Sequence, residues 1–149
     1  TRPREDCMTT TSKPMPLTEV DSFVSRHIGP SADEQRAMLE VLRDMPARRH
    51  IAVLGEMLEL GRWSESLHRE AGSFATRCGI SVLVGIRGVA SALVEGAVAA
   101  GLRKNAAYFF EQPEEAGKWL RNFAQPGDAI LFKGSRGTRV ERALQEFLA

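Results

Sequence analysis

Gly127-Asp128-Ala129-Ile130-Leu131-Phe132-Lys133-Gly134-Ser135-Arg136-Gly137 is an apolar run that stops in a basic turn punctuated by glycine. Val140, Ala143, Leu144, Phe147 and Leu148 follow at the spacing of one helix face. The turn therefore joins a buried strand to an amphipathic helix. In an open parallel sheet, ligands gather at the carboxyl ends of strands, beside the first turns of the following helices. Lys133, Ser135 and Arg136 belong to such an edge. A second reading stays open, in which Gly134 and Gly137 only make a tight turn and the charges are solvated. As a strand-end residue, Lys133 is expected to contribute charge more than packing.

Upstream, the same strand-then-helix unit recurs. Ile51-Ala52-Val53-Leu54 and Val82-Leu83-Val84-Gly85-Ile86 are unbroken apolar runs, the pattern of strands covered on both faces. Ala106-Ala107-Tyr108-Phe109-Phe110 is a further strand, with its aromatics assigned to the core. Between them, Leu67, Ala71, Phe74, Ala75 and Cys78 share a helix face that Gly79 terminates. Val89, Ala92, Leu93, Gly96, Ala97 and Ala100 form another, whose small residues predict close packing of helix on sheet. Pro113 opens a helix carrying Ala116, Trp119, Leu120 and Phe123, since proline suits a first helical turn. Before the first strand, Ser31-Ala32-Asp33-Glu34 has the form of a capping box, and Met38, Val41, Leu42 and Met45 continue at helical spacing until Pro46. Strict alternation predicts an α/β fold with a mainly parallel sheet and helices on both faces.

A length of 149 residues with 43% hydrophobic content suits one domain with a real core. Twenty basic residues against 19 acidic ones give a net charge of +1, so bulk electrostatics offers no case for nucleic acid or an anionic membrane as partner. Cys7 and Cys78 have neither metal-ligand spacing nor a disulfide framework. No apolar run approaches the ~20 residues of a membrane helix, and no secretory pattern opens the chain. The expectation is a soluble, cytoplasmic protein. Residues 1–18 are rich in Thr, Pro, Arg and Ser and are expected to be a disordered leader, with residues 19–149 as the domain.

Catalytic signals are sparse. His27 has no partner at recognisable spacing, and His68 lies one position from the apolar helix face, which favours packing or capping for it. Glu56, just past a strand end, is either a substrate-facing carboxylate or a solvated residue approaching the next helix. Gly85-Ile86-Arg87-Gly88 lacks the spacing of a dinucleotide fingerprint, which excludes a nicotinamide or flavin reading. No nucleophile and base pair or metal cluster can be assembled, so no catalytic residue and no metal ligand is assigned.

Three ordered motifs carry a resemblance. They are Arg49-His50-Ile51-Ala52-Val53-Leu54-Gly55-Glu56-Met57-Leu58-Glu59-Leu60-Gly61, then Leu67-His68-Arg69-Glu70-Ala71-Gly72, then Gly127-Asp128 leading to Lys133-Gly134-Ser135-Arg136-Gly137. Together they resemble the C-terminal domain of the Mur ligase family, in particular UDP-N-acetylmuramoyl-tripeptide D-alanyl-D-alanine ligases, over about residues 42–149. The resemblance implies a Rossmann-like three-layer sandwich that closes over a central ATP-binding domain. It also implies ATP and Mg2+ as cofactors of the full-length enzyme, and D-alanyl-D-alanine and UDP-muramoyl-tripeptide as substrates. By resemblance, Gly55, Glu56, Met57, Lys133, Gly134, Ser135 and Arg136 line a substrate or nucleotide cleft.

No Gly-x-x-x-x-Gly-Lys-[Ser/Thr] loop occurs in the sequence, so the N-terminal and central ligase domains are expected as missing partners and the chain alone as inactive. The family's Asp-Ser-Tyr-Asn-like opening is represented only by Asp21-Ser22-Phe23-Val24. Residues 18–42, with Arg26-His27-Ile28-Gly29-Pro30, resemble the N-terminus of the glycine dehydrogenase of the glycine cleavage system. That implies a fusion whose first helix, about residues 31–45, is foreign. The alternative function is a non-catalytic module binding a small anion or nucleotide.

Overall fold

The computed structural model describes residues 32–149. The expected leader 1–18, Cys7, His27, the Asp21-Ser22-Phe23 segment and the Arg26–Pro30 stretch lie outside the described residues. Within the described residues, four strands form one parallel sheet: β1 (Arg49–Gly55), β2 (Val82–Ile86), β3 (Ala107–Phe110) and β4 (Asp128–Lys133). The order across the sheet is β3-β2-β1-β4. Among the described residues, five α-helices accompany them: α1 (Ala32–Asp44), α2 (Ser64–Arg77), α3 (Ser91–Ala99), α4 (Pro113–Phe123) and α5 (Val140–Leu148).

Successive side chains of a strand point to opposite faces, and this alternation builds two cores. Ile51, Val53, Val84, Ile130 and Phe132 meet Ala116 and Leu120 of α4 and Val140, Ala143 and Leu144 of α5. Ala52, Leu54, Leu83 and Leu131 meet Met38, Leu39 and Leu42 of α1, Ala71 and Ala75 of α2, and Leu93 and Ala97 of α3. The result is a Rossmann-like three-layer α/β sandwich with helices on both faces of the sheet. Each large aliphatic side chain buried here stabilises the fold by about 1.5–3 kcal/mol relative to exposure.

The helix ends follow local chemistry. Pro113 sits at the start of α4, with Glu114 and Glu115 in its first turn, where carboxylates complement the exposed N–H groups. α1 ends two residues before Pro46, with Arg43 in its last turn.

The small residues of α3 pack against the sheet through Ala97, and against α2 as well: a Cβ on Gly72 would fall on the Leu93 carbonyl oxygen, and one on Gly96 would fall on that of Arg69. α2 and α3 therefore touch backbone to backbone. Phe109 is not core, being 37% exposed on the short edge strand β3, while Tyr108, Phe110, Trp119 and Phe123 cluster beneath it with the Trp119 and Phe123 rings stacked at 4.5 Å.

Topology also sets a crevice at the carboxyl edge of the sheet. β1 to β2 to β3 steps one way with α2 and α3 on one face. β3 then returns through α4, on the other face, to β4 at the far side of β1. A right-handed crossover that reverses direction must change faces. The chains leaving β1 and β4 consequently diverge to opposite faces, and the crevice between them is the switch point where ligands bind in such sheets.

Candidate functional site

The two sequence segments expected at the cleft are brought together. β1 and β4 are paired neighbours, with Leu54 opposite Lys133, so Gly55-Glu56-Met57 and Gly134-Ser135-Arg136 emerge side by side at the carboxyl edge. A Cβ on Gly134 would lie 3.2 Å from the Gly55 Cα and 2.5 Å from Val140 Cγ2. Neither Gly134 nor Gly137 has a positive φ, and close approach to Gly55 and Val140 explains glycine at position 134. The loops are tied across the crevice: Leu58 N–H donates to Ser135 Oγ at 3.1 Å, and Thr138 Oγ1 donates to the Glu56 carbonyl at 2.8 Å.

Their exposures differ. Met57 and Ser135 are buried, Glu56 is half-buried and Arg136 is exposed. Lys133 departs from its expected role as a surface charge, because its side chain is only 1% exposed and packs toward Glu34 of α1, 3.9 Å from Nζ to Oε1. Burial lowers the Lys133 pKa, and Glu34 opposes that shift. Glu56, left open by the sequence between a substrate-facing and a solvated carboxylate, has a hydrogen-bond partner on the neighbouring loop. Its carboxylate accepts from Val89 N–H at 3.1 Å and so caps the turn that follows β2.

His68 is structural, as favoured from sequence. Its Nδ1–H donates to the Ser64 carbonyl at 2.7 Å, and Nε2 accepts from Met57 N–H at 2.8 Å. This pairing requires the neutral ring, and burial lowers its pKa accordingly.

A cluster that the sequence reading missed lies along the same edge. A cavity of about 290 Å³ is lined by Arg87, Gln112, Pro113, Glu114, Gly137, Arg139 and Arg142. Arg87 follows β2, Gln112 follows β3 and Arg139 follows β4, so loops from three strands converge between the first turns of α4 and α5. Arg142 pairs with Glu114 at 3.2 Å. The Glu114 carboxyl is held below its usual range, first by its own backbone N–H and then by Arg142, against opposing burial. Among the described residues, Arg87 and Arg139 form no ion pair. Both have positive φ, 77° and 58°, which is strained for non-glycine residues. The available sequence signal was position alone: Arg87 stands one residue past its strand, as Glu56 does past β1.

The doubly wound parallel sheet thus carries, at its carboxyl edge, a cavity lined by three arginines and Glu114. The family model for "Mur ligase, glutamate ligase domain" matches residues 28–136, and the chain belongs to that family of ATP-dependent acid–amino-acid ligases. It is 30% identical over 113 residues to a UDP-N-acetylmuramoyl-tripeptide–D-alanyl-D-alanine ligase of Synechocystis, covering 76% of this chain and 24% of the relative. It is 41% identical over 91 residues to the ligase of that name from Mycobacterium leprae, covering 60% and 18%.

Among solved structures, MurF from Acinetobacter baumannii superposes with a TM-score of 0.72 at 26% identity, over 81% of this chain and 26% of that one. MurF ligase from Thermotoga maritima in complex with ADP superposes with a TM-score of 0.66 at 26% identity, over 82% and 26%. The chain thus spans about a quarter of the length of these relatives. The family match begins at residue 28 and takes in α1, so the ligase likeness starts earlier than the expected residue 42. The comparisons give no support to a glycine dehydrogenase likeness. Among the described residues no helix is long and apolar enough to cross a membrane.

Proposed function

We propose that this chain is the C-terminal domain of a ligase that joins D-alanyl-D-alanine to UDP-N-acetylmuramoyl-tripeptide in peptidoglycan precursor synthesis. It works in the cytoplasm together with N-terminal and central ligase domains and is inactive without them. The observation that carries the reading is the convergence of Arg87, Arg139 and Arg142 on one cavity at the carboxyl edge. Guanidinium groups bind planar carboxylates through paired N–H donors, and a dipeptide ends in such a group. In this assignment the cavity takes the dipeptide carboxylate, while Gly55–Met57 and Lys133–Arg136 frame the crevice toward the other domains. Arg136 is the exposed cation of that frame.

ATP and Mg2+ are assigned to the central domain. The sequence has no phosphate-binding loop, and among the described residues no group of three or more His, Cys, Asp or Glu is placed to hold a metal ion. Bound there, they would supply the activation of the acceptor carboxylate. This chain's part is to hold and orient the incoming amine and to exclude water, and orientation alone can supply several kcal/mol of a barrier.

The arginine cavity equally suits a second reading, a non-catalytic module that binds a small anion or nucleotide. Phosphate release from ATP, measured when the chain is mixed with a piece holding the two other domains, tripeptide precursor, Mg2+ and the dipeptide, separates the two. Release that needs both pieces and the dipeptide supports the ligase domain. Its absence with a folded chain, together with tight nucleotide or phosphate binding by the chain alone, supports the module.

A further inference from the structure

We propose that Glu56 is a positioning residue that clamps the two loops carrying Arg87 and Arg139 and so sets the geometry of the anion cavity. The inference rests on the reading that this cavity takes an anionic group. Glu56 does not line the cavity. Its two ends hold the segments that do. The carboxylate accepts from Val89 N–H at 3.1 Å, two residues beyond Arg87. The main-chain carbonyl accepts from Thr138 Oγ1 at 2.8 Å, and Thr138 stands between the lining residues Gly137 and Arg139. The Glu56 N–H donates to the Ile86 carbonyl at 3.0 Å, which anchors the clamp to the sheet.

The fit to the β2 loop is close. A Cβ on Gly88 would lie 2.6 Å from Glu56 Oε2, so the carboxylate rests directly against the β2 loop. Thr138 is 1% exposed, and its hydroxyl has this carbonyl as its partner. Strained backbone persists only where its surroundings over-determine it. Arg87 and Arg139 are both strained, and one residue holds the segment beside each.

The mechanism is indirect. Without the clamp, Arg87 and Arg139 keep their charge but lose fixed direction, and binding must then supply the ordering. A loss confined to the β2 loop is expected for Glu56→Ala, and one confined to the β4 loop for Thr138→Val. Glu56→Gln keeps an acceptor oxygen and should restore most of the effect.

The test uses the full chain as wild type, Glu56→Ala, Glu56→Gln, Thr138→Val and Arg87→Ala. D-alanyl-D-alanine and inorganic phosphate are titrated separately by amide NMR, and amide hydrogen exchange is read at Val89 and Arg139 with Val53 and Val84 as sheet controls. Expected are saturable binding by wild type, a loss of about tenfold for Arg87→Ala and for Glu56→Ala, and rescue by Glu56→Gln. Val89 should exchange faster in Glu56→Ala while Val53 and Val84 are unchanged. Dipeptide preferred over phosphate identifies a carboxylate site, and the reverse identifies a phosphate site. If Arg87→Ala weakens binding while folded Glu56→Ala and Thr138→Val bind as wild type, the clamp is wrong and the cavity reading stands. If wild type binds neither probe, the cavity reading fails and the positioning role fails with it. Should Glu56→Ala not fold, Thr138→Val and Glu56→Gln decide by the same two readouts.

Discussion

His68 Nε2 accepts a hydrogen bond from the Met57 N–H at 2.8 Å, inside a ring environment that is fully buried. Nδ1–H is already committed to Ser64, so the neutral ring bridges the loop after β1 to the first turn of α2. A proton on Nε2 would break that bridge and leave the Met57 N–H without its acceptor.

The sign of the pH effect follows. Burial lowers the folded-state pKa of His68 from its ordinary value of 6.5. The unfolded chain then takes up the proton first, so this contribution is complete above about pH 6.5 and declines as the pH falls below it. Urea unfolding of wild type and His68→Leu at pH 7.5 and pH 5.5 checks this. Wild type should be more stable by roughly 1–3 kcal/mol at the higher pH, with the gap narrowing at the lower. A gap that widens on acidification would contradict the neutral bridge.

Arg49 and Asp128 form a two-pronged pair, Nε to Oδ1 at 3.0 Å and Nη2 to Oδ2 at 2.7 Å, beneath which the Phe123 ring lies 4.5 Å from the guanidinium. The Asp128 side chain is 1% exposed and also accepts from Gln125 N–H at 2.8 Å. Asp128→Ala should destabilise the fold by about 3 kcal/mol, the low end for a broken buried pair, because Arg49 keeps some access to water. Denaturant titration measures it, and a change below about 0.5 kcal/mol would show the pair to be incidental.

Gly72 and Gly96 mark where α2 and α3 meet backbone to backbone. Gly96→Ala would gain helix propensity of about 1 kcal/mol in an isolated helix. Here the added methyl has no space, so a net loss of about 1–3 kcal/mol is expected, as for other overpacked sites. Thermal melting that rises for Gly96→Ala would refute the contact.

Lys133 offers the sharpest contrast between charge and packing. Its stem fills the space under α1, so Lys133→Ala should cost about 2–4 kcal/mol through lost burial and a cavity. Lys133→Met replaces the stem and should lose less. Equal stability of the Ala variant and wild type would return Lys133 to the role of a surface charge.

Much of the architecture was legible without coordinates. Val82–Ile86 is apolar throughout because both sheet faces are covered, and Val140, Ala143 and Leu144 fall on one side because a helix has only one face to bury. Pro46, Pro113 and Gly79 punctuate the elements through backbone geometry that sequence shows directly. The pairing of Gly55–Met57 with Lys133–Arg136 at one edge was anticipated through motif resemblance, not through spacing.

What only the tertiary structure decided depends on strand order and on close approach. Placing β4 beside β1 creates the switch point, and a chain far apart in sequence carries no local mark of which edges meet. Lys133 and Glu56 sit at strand ends as their positions imply, yet one turns into the core and the other caps a neighbouring loop. Arg87, Arg139 and Arg142 become a cluster because three loops converge, a matter of through-space distance that periodicity does not encode. Sequence by itself determined which segments are strands and helices, since burial and backbone chemistry act locally. The fold determined which side chains face one another, because that depends on contacts between segments remote in the chain.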